Sequence, residues 1–274
     1  MTNQLHEVRR RAVRFTSRTV TRIWEEIPHK ENPYLADKCR CHGYDILELA
    51  RKKSFVDVLF LLFQGELPSA DQANILETLL ITMINPGPRH PATRAAMNAG
   101  VGKTHGSHLL PIGLSILGGA HLGGEEVTEA MLFLRKNRRN SPGHIATELL
   151  QGEKPKKGDW HIAPGFGSRF DAIDPMPQQI VKLLSNSPGS GDHLQWGNEL
   201  AGFILPHSMG WLSTGVAAAV FCDLGFHPRA GAGMYQLLGA PGLLAHGLEL
   251  ANKPIVAMPF LQEEQYVIAA ETKK

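Results

Sequence analysis

Between about residue 45 and residue 250 the chain reads as a succession of short helices, and this pattern limits the possible folds most strongly. Ser54 precedes an apolar pattern that stops at Gly65, and Ser69 precedes the next one. Serine before a helix accepts a hydrogen bond from a free backbone N–H, whereas glycine ends helices. Further helices are predicted over 92–101, 105–117, 125–139, 145–150, 178–184, 195–203, 209–224 and 231–250. The predicted class is mainly α, with a small hairpin over 32–45.

Residues 140–175 break this pattern, because proline and glycine recur there and only one short helix is predicted. Both residue types are unfavourable inside helices, so loops should dominate this stretch. Loops carry function more often than helix faces do. We interpret the stretch as a hinge between two helical lobes, with Asp174 capping the helix that follows.

His121 lies between two glycine pairs, Gly118-Gly119 and Gly123-Gly124. An apolar helix is predicted before the first pair and a second helix after the other, with carboxylates in its first turn. Paired glycines allow a tight turn and a close approach of backbone to a ligand. The residues alone leave two readings open: His121 lines a ligand pocket, or it is an incidental residue of a glycine turn.

Composition excludes several classes of function. The 274 residues carry a net charge of +2 and are 43% apolar, which gives a substantial core and no reason to expect a nucleic-acid partner. Three cysteines make no disulfide framework, so we expect a cytoplasmic protein. Cys39 and Cys41 lack a second ligand pair at finger-like spacing, so no metal site is expected. No apolar run approaches the roughly 18 residues of a membrane span. The arginine-rich start is compatible with a transit peptide, although Glu7 argues against one.

Five segments, in chain order, resemble the citrate synthase superfamily over nearly the whole length. They are Cys41-His-Gly-Tyr-Asp-Ile-Leu-Glu-Leu-Ala50, residues 55–68 (ending Gly65-Glu-Leu-Pro68), Gly118-Gly-Ala-His-Leu-Gly-Gly124, Pro164-Gly-Phe-Gly-Ser-Arg169 and Gly242-Leu-Leu-Ala-His-Gly-Leu-Glu249. Each segment alone is weak, and their common order carries the resemblance. The short lyase form, as in citryl-CoA lyase and the C-terminal part of ATP-citrate lyase, fits the length best.

The resemblance implies a large helical domain (1–121 with 236–274), a small domain (122–235), a cleft where they meet and a homodimer. His121 would polarise the thioester carbonyl of an acyl-CoA and stabilise its enol. The loop of Gly165, Phe166, Gly167 and Arg169 would hold coenzyme A. A keto acid or related small molecule would be the second substrate, and no metal is implied.

Several positions depart from the family pattern. Ser168 stands where the second catalytic histidine is expected, and we keep it as a catalytic candidate. Trp211 stands where the aspartate base is expected, although a shifted alignment would bring His207 or Asp223 there instead. A chain without this base should not enolise a thioester by the family route.

The arginines that would bind citrate carboxylates are also missing. Met176 and Gly239 stand at two of their positions, and Asn85-Pro86 replaces an expected Asp-His pair. Arg89 and His207 are candidate substrate-binding replacements, because they lie near the missing groups in sequence.

Three functions stay open from the sequence. In the first, the chain is a citryl-CoA lyase or synthase. In the second, it uses the same cleft on a less anionic acyl-CoA substrate and makes or breaks the C–C bond alpha to the thioester. In the third, it is an inactive homologue that binds a ligand or assembles with a partner. The absent arginines weigh against the first.

Overall fold

The computed structural model describes residues 16–152 and 159–269. The chain forms two compact units that divide between Leu67 and Pro68. The division into domains at residues 121 and 236 stays a prediction. Most of the arginine-rich start lies outside the described residues. Within the described ranges, no helix is both long enough and apolar enough to cross a membrane.

The first unit contains a three-stranded antiparallel sheet and two helices. These are β1 (Trp24–Pro28), β2 (Ala36–Cys41), β3 (Tyr44–Asp45), α1 (Ile46–Lys52) and α2 (Phe55–Gln64). The strands lie in the order β1-β2-β3, which confirms the predicted hairpin. His42 and Gly43 connect β2 to β3 with φ of 45° and 86°. Two positive φ values are typical of the turn whose twist suits a tight hairpin.

The second unit is helical. Its α-helices are α3 (Ala70–Thr82), α4 (Pro91–Val101), α5 (Gly106–Leu117), α6 (Gly124–Asn137), α7 (Pro142–Leu150), α8 (Pro175–Ser185), α9 (Asp192–Ile204), α10 (Ser213–Asp223) and α11 (Pro228–Ala251). They confirm the predicted helices, with ends displaced by a few residues. The tail forms two short 3₁₀ turns, Ile255–Ala257 and Glu263–Gln265.

The predicted capping residues begin their helices. Ser54 and Ser69 each form a capping box, in which the side chain three residues later bonds back to the serine N–H. Asp174 accepts a hydrogen bond from the backbone N–H of Met176 at the start of α8. His90 caps α4 in the same way, through Nδ1 and the N–H of Ala92.

The core of the second unit lies around α10 and α11. All residues from Thr214 to Cys222 are buried, and α11 packs against α4, α5 and α6. Gly100 permits the close approach of α4 to α11, because a Cβ there would overlap the carbonyl oxygen of Gly247. This helical layer supports the segments that form the candidate site.

A second antiparallel sheet lies inside this unit, in the order β4 (Trp160–Ala163), β5 (Phe166–Ser168) and β6 (Gly210–Trp211). The sequence predicted loops at β4 and β5 and the start of a helix at β6, and those assignments were wrong. These strands have two to four residues each, too few to show an alternating pattern. Tertiary packing defines them instead, with the rings of Phe166 and Trp211 4.4 Å apart.

Candidate active site

The turn that carries His121 runs from Gly118 to Gly123, between α5 and α6. Leu122 adopts a φ of 52° there, a left-handed conformation that is uncommon for a bulky residue. Its backbone N–H donates to the Glu126 carboxylate at 3.0 Å, across the first turn of α6. Such conformations persist where the surroundings hold them, and they cluster at functional sites.

Glu126 connects this turn to the second sheet. The residue is 3% exposed. One carboxylate oxygen accepts the Leu122 N–H, and the other lies 2.6 Å from His161 Nδ1 and 3.3 Å from the Gly165 backbone N. An ionised carboxylate only accepts hydrogen bonds, so His161 carries its proton on Nδ1. Nε2 of His161 is therefore the nitrogen with the free lone pair.

His121 and His161 form a cluster with Asp159. The two imidazoles stack with ring centroids 5.2 Å apart and planes 23° from parallel. His121 Nε2 lies 3.6 Å from Asp159 Oδ2; the His121 side chain is 61% exposed and that of Asp159 only 9%. His121 thus lies at the surface beside a buried carboxylate and a second histidine.

Arg169 extends this cluster towards a cavity. Its Nε lies 3.4 Å from Asp159 Oδ2, and its Nη1 lies 3.7 Å from Asp174 Oδ2. The next two residues, Phe170 and Asp171, have φ of 49° and 60°. The Phe170 N–H donates to the other oxygen of Asp159 at 2.9 Å, which fixes this tight turn. Both carboxylates therefore offset the charge of Arg169.

The cavity beside Arg169 has a volume of about 190 Å³. Its polar lining consists of Thr82, Asn85, His90, Arg169, Asp174, Ser213 and Tyr235. Its other lining residues are Met83, Pro86, Leu117, Leu122, Met176, Ile180, Leu238 and Gly239. Pockets for drug-sized ligands measure about 300–1,000 Å³, so this cavity suits a small substrate or the acyl end of a thioester.

Two ring side chains in the cavity are held neutral. Burial raises the pKa of Tyr235, so its phenol remains a hydrogen-bond donor at neutral pH. Burial also lowers the pKa of His90. Its Nδ1 accepts the Ala92 N–H at 3.2 Å, so its Nε2 carries the proton and donates to the Leu122 carbonyl at 3.4 Å. Asp174 and Arg169 are thus the charged groups of the lining.

Four of the positions at which a family residue is missing face this cavity. Asn85, Pro86, Met176 and Gly239 all belong to its lining. The Asn85 side chain bonds back to the Gly87 N–H at 2.8 Å. The cavity therefore has neutral or apolar groups where the resemblance places an Asp-His pair and two arginines.

The loop predicted to hold coenzyme A is buried in this structure. Gly165, Phe166, Gly167 and Ser168 are all buried, and the Ser168 hydroxyl has no hydrogen-bond partner. A side chain at Gly167 would overlap the carbonyl oxygen of Trp160 in the neighbouring strand. The coenzyme-binding role of Gly165, Phe166 and Gly167 and the catalytic role of Ser168 stay predictions. Arg169 is the member of this loop that reaches the cavity.

The other predicted residues lie away from the cavity lining. Trp211 is 1% exposed and donates from its indole nitrogen to Asn198 at 3.1 Å. Asp223, the alternative base, is bonded to His193 at 2.8 Å. Arg89 and His207 are exposed and do not line the cavity. Their substrate-binding role stays a prediction.

Sequence reasoning missed Glu126, Asp159, His161 and Tyr235 and assigned Asp174 only to a helix cap. Glu126 and His161 are 35 positions apart and become neighbours only when β4 packs beside α6. The sequence did show Glu125 and Glu126 in the first turn of this helix, but that pattern was interpreted only as charge that complements the helix dipole.

No protein-family model and no curated protein sequence matches the chain. Solved structures do match. Citryl-CoA lyase from Hydrogenobacter thermophilus has a TM-score of 0.74 at 24% identity, over 93% of this chain and 96% of that one. ATP citrate lyase from Methanothrix soehngenii, in complex with citrate and coenzyme A, has a TM-score of 0.69 at 16% identity; it matches over 94% of this chain and 44% of its own.

Citrate synthase from Thermoplasma acidophilum, in a ternary complex with carboxymethyl coenzyme A and oxaloacetate, matches with a TM-score of 0.56 at 17% identity. The match covers 81% of this chain and 58% of that one. Identities this low establish the shared fold. The fold expected from the five sequence segments is confirmed: the chain has the citrate synthase fold.

Proposed function

We propose that this chain binds an acyl-CoA and makes or breaks the carbon–carbon bond alpha to its thioester, on a substrate less anionic than citrate. The structural neighbours support the coenzyme, since two of them hold citrate with coenzyme A, or carboxymethyl coenzyme A with oxaloacetate. The second substrate would be a keto acid or related carbonyl compound.

The charged side chains of the cavity support a substrate that is less anionic than citrate. Arg169 is the one cationic side chain in the described lining, and Asp159 and Asp174 already lie within 4 Å of it. A tricarboxylate needs several bidentate partners to bind tightly in one orientation. Met176 and Gly239, at expected arginine positions, offer none. A substrate with one carboxylate or none fits this lining better, and this is the observation that carries the proposal.

The chemistry needs a proton acceptor and a donor to the growing oxyanion. We assign the acceptor to Asp174, the carboxylate in the described lining, and the donor to the neutral phenol of Tyr235. In the cleavage direction Asp174 removes the substrate hydroxyl proton, the carbon–carbon bond breaks, and its electron pair forms the enolate of the acyl-CoA, to whose oxygen Tyr235 donates a hydrogen bond. The enolate then takes the proton back from Asp174 at its alpha carbon, which regenerates the carboxylate. His121, from the resemblance, would polarise the thioester carbonyl.

A non-catalytic role is the second candidate, and Trp211 favours it. This residue fills the expected position of the base with a buried ring. A ligand-binding or assembly protein needs neither that base nor the second histidine. Both candidates are compatible with a homodimer in the cytoplasm, which we also propose; light scattering on the purified protein tests the dimer.

Calorimetric titration with coenzyme A and acetyl-CoA tests the shared part of the proposal. Arg169→Ala should weaken binding about 5- to 150-fold, because a charge-assisted contact to phosphate is worth about 1–3 kcal/mol. Arg229→Ala is the matched control, since Arg229 is exposed and lies outside the lining. Equal affinities for parent and Arg169→Ala would remove the loop from the coenzyme site.

Proton exchange in D₂O separates an enzyme from a binding protein without knowing the second substrate. Incubation with acetyl-, propionyl- and butyryl-CoA, followed by NMR, should show deuterium entering the alpha carbon. Asp174→Asn should slow this about 10²–10⁴-fold, the usual effect of losing a positioned base. Binding without any exchange would favour the non-catalytic candidate.

A further inference from the structure

We propose that His121, Asp159 and His161 form a binding site for a divalent transition metal. Across the described ranges 16–152 and 159–269, these three residues bring one ligand atom each to within 4.8 Å of the other two. The proposal goes beyond the acyl-CoA chemistry above and does not depend on it. The sequence predicted no metal site, because Cys39 and Cys41 lack a second ligand pair; it gave no indication of these three residues, which are 38 and 2 positions apart.

One of the three distances between ligand atoms is already close to that of a coordination site. Zinc binds imidazole nitrogen at about 2.0–2.1 Å and carboxylate oxygen at about 2.0–2.2 Å in tetrahedral geometry, which places ligand atoms roughly 3.3–3.5 Å apart. His121 Nε2 already lies 3.6 Å from Asp159 Oδ2. The His121 side chain is 61% exposed, so it is free to rotate over the remaining distance.

His161 is prepared as a ligand. Its Nδ1 is bonded to the buried Glu126 carboxylate at 2.6 Å, and its Nε2 is buried with no hydrogen-bond partner. Metal-binding histidines characteristically donate their other ring N–H to a carboxylate, which fixes the tautomer and the ring orientation. A buried acceptor left without a partner costs about 1–3 kcal/mol. A metal ion at Nε2 would remove that cost.

The surroundings specify the kind of metal. Two imidazoles and one carboxylate suit zinc, cobalt, nickel and ferrous iron, whereas magnesium and calcium prefer oxygen ligands. Three protein ligands leave positions open for water or for a carboxylate or carbonyl oxygen of a small molecule.

Arg169 competes for the same carboxylate. Its Nε lies 3.4 Å from Asp159 Oδ2, the oxygen that faces His121. A bound cation would repel the guanidinium, which keeps a second partner in Asp174 at 3.7 Å. Metal binding would therefore be coupled to the charge that Arg169 presents in the cavity. The other oxygen of Asp159 remains bonded to the Phe170 N–H, so the carboxylate stays in place.

The test is a titration of the full-length protein with Zn²⁺ by calorimetry and with Co²⁺ by visible absorption, in the absence of any acyl-CoA. We expect one ion per chain and a cobalt spectrum typical of nitrogen and oxygen ligands in low coordination. His121→Ala should weaken binding at least tenfold and should leave the fold intact, since His121 is exposed. Glu126→Gln should weaken binding about 10- to 100-fold through the orientation of His161.

His144→Ala is the matched control. His144 is a 69% exposed histidine that lies 3.3 Å from the carboxylate of Glu148, outside the cluster. Its loss should leave the affinity unchanged. The proposal is overturned if no stoichiometric ion binds at 100 µM Zn²⁺, a concentration chosen for the test, or if His121→Ala binds as tightly as the parent. Because no coenzyme is present, a negative result does not bear on acyl-CoA binding, whereas a positive result would assign to the metal the imidazole that the resemblance places at the thioester.

Discussion

The buried carboxylate of Glu126 offers the sharpest test of how the site is held. Its two oxygens accept hydrogen bonds from the backbone N–H groups of Leu122 and Gly165 and from His161 Nδ1. Glu126→Gln keeps the shape of the side chain and replaces one acceptor oxygen by an NH₂ donor. Whichever way the amide turns, at least one buried N–H then faces another donor.

The expected loss of folding stability in Glu126→Gln follows from that single mismatched hydrogen bond. A buried donor left without its acceptor costs about 1–3 kcal/mol. If the amide oxygen takes the side of His161 and Gly165, the Leu122 N–H loses its partner, and one of the contacts that hold its φ of 52° is lost. For a domain of 150–250 residues each kcal/mol lowers Tm by about 2–4 °C, so the expected fall is about 2–12 °C.

Differential scanning calorimetry of the purified variant measures this fall. Glu125→Gln is the control: this neighbour lies in the same first turn of α6 but is exposed, so the change should stay within about 0.5 kcal/mol. If both variants melt at the same temperature as the parent, Glu126 does not organise the turn, and the proposed preparation of His161 as a ligand loses its basis.

Two further perturbations test the packing and the titration of the site. Gly215→Ala should destabilise the protein by about 3 kcal/mol in urea denaturation, because its Cβ would overlap the carbonyl oxygen of Gly165; Gly233→Ala, with open space around it on α11, should be neutral or stabilising by up to about 1 kcal/mol. Burial lowers the pKa of His90 in the folded state, so the unfolded state binds a proton more readily and stability falls as pH drops through about 6.5. His90→Asn retains a capping side chain and should lose less stability between pH 7.5 and 5.5 than the parent. An equal loss would contradict the conclusion that protonation of His90 destabilises the folded state.

The helical frame was predictable because its signals are local. Ser54, Ser69 and Asp174 each precede a helix, and each accepts a backbone N–H there in the structure. Such caps depend on a few consecutive residues and survive in any fold that contains the helix. The short strands β4, β5 and β6 were missed because they exist only through pairing with each other.

The candidate site was predictable only where a family motif marked it. Motif matching located Arg169, and it singled out Met176 and Gly239, which both line the cavity. It gave no indication of Asp159 and His161, because their importance comes from contacts across 35 or more residues. Periodicity and capping rules use residues that are close in sequence, so they do not detect such pairs.

The packing around Trp211 suits the tryptophan that stands where the resemblance places an aspartate. Its ring packs 4.4 Å from Phe166, and a Cβ on Gly197 would overlap it, so the indole occupies space that its neighbours leave open for it. A carboxylate at that position would be unpaired among apolar groups, an environment that favours its neutral form. The local packing therefore suits a tryptophan as a structural residue and does not suit a base. Trp211 itself has no group that accepts a proton, and Asp174, at the start of α8, is the carboxylate in the described lining.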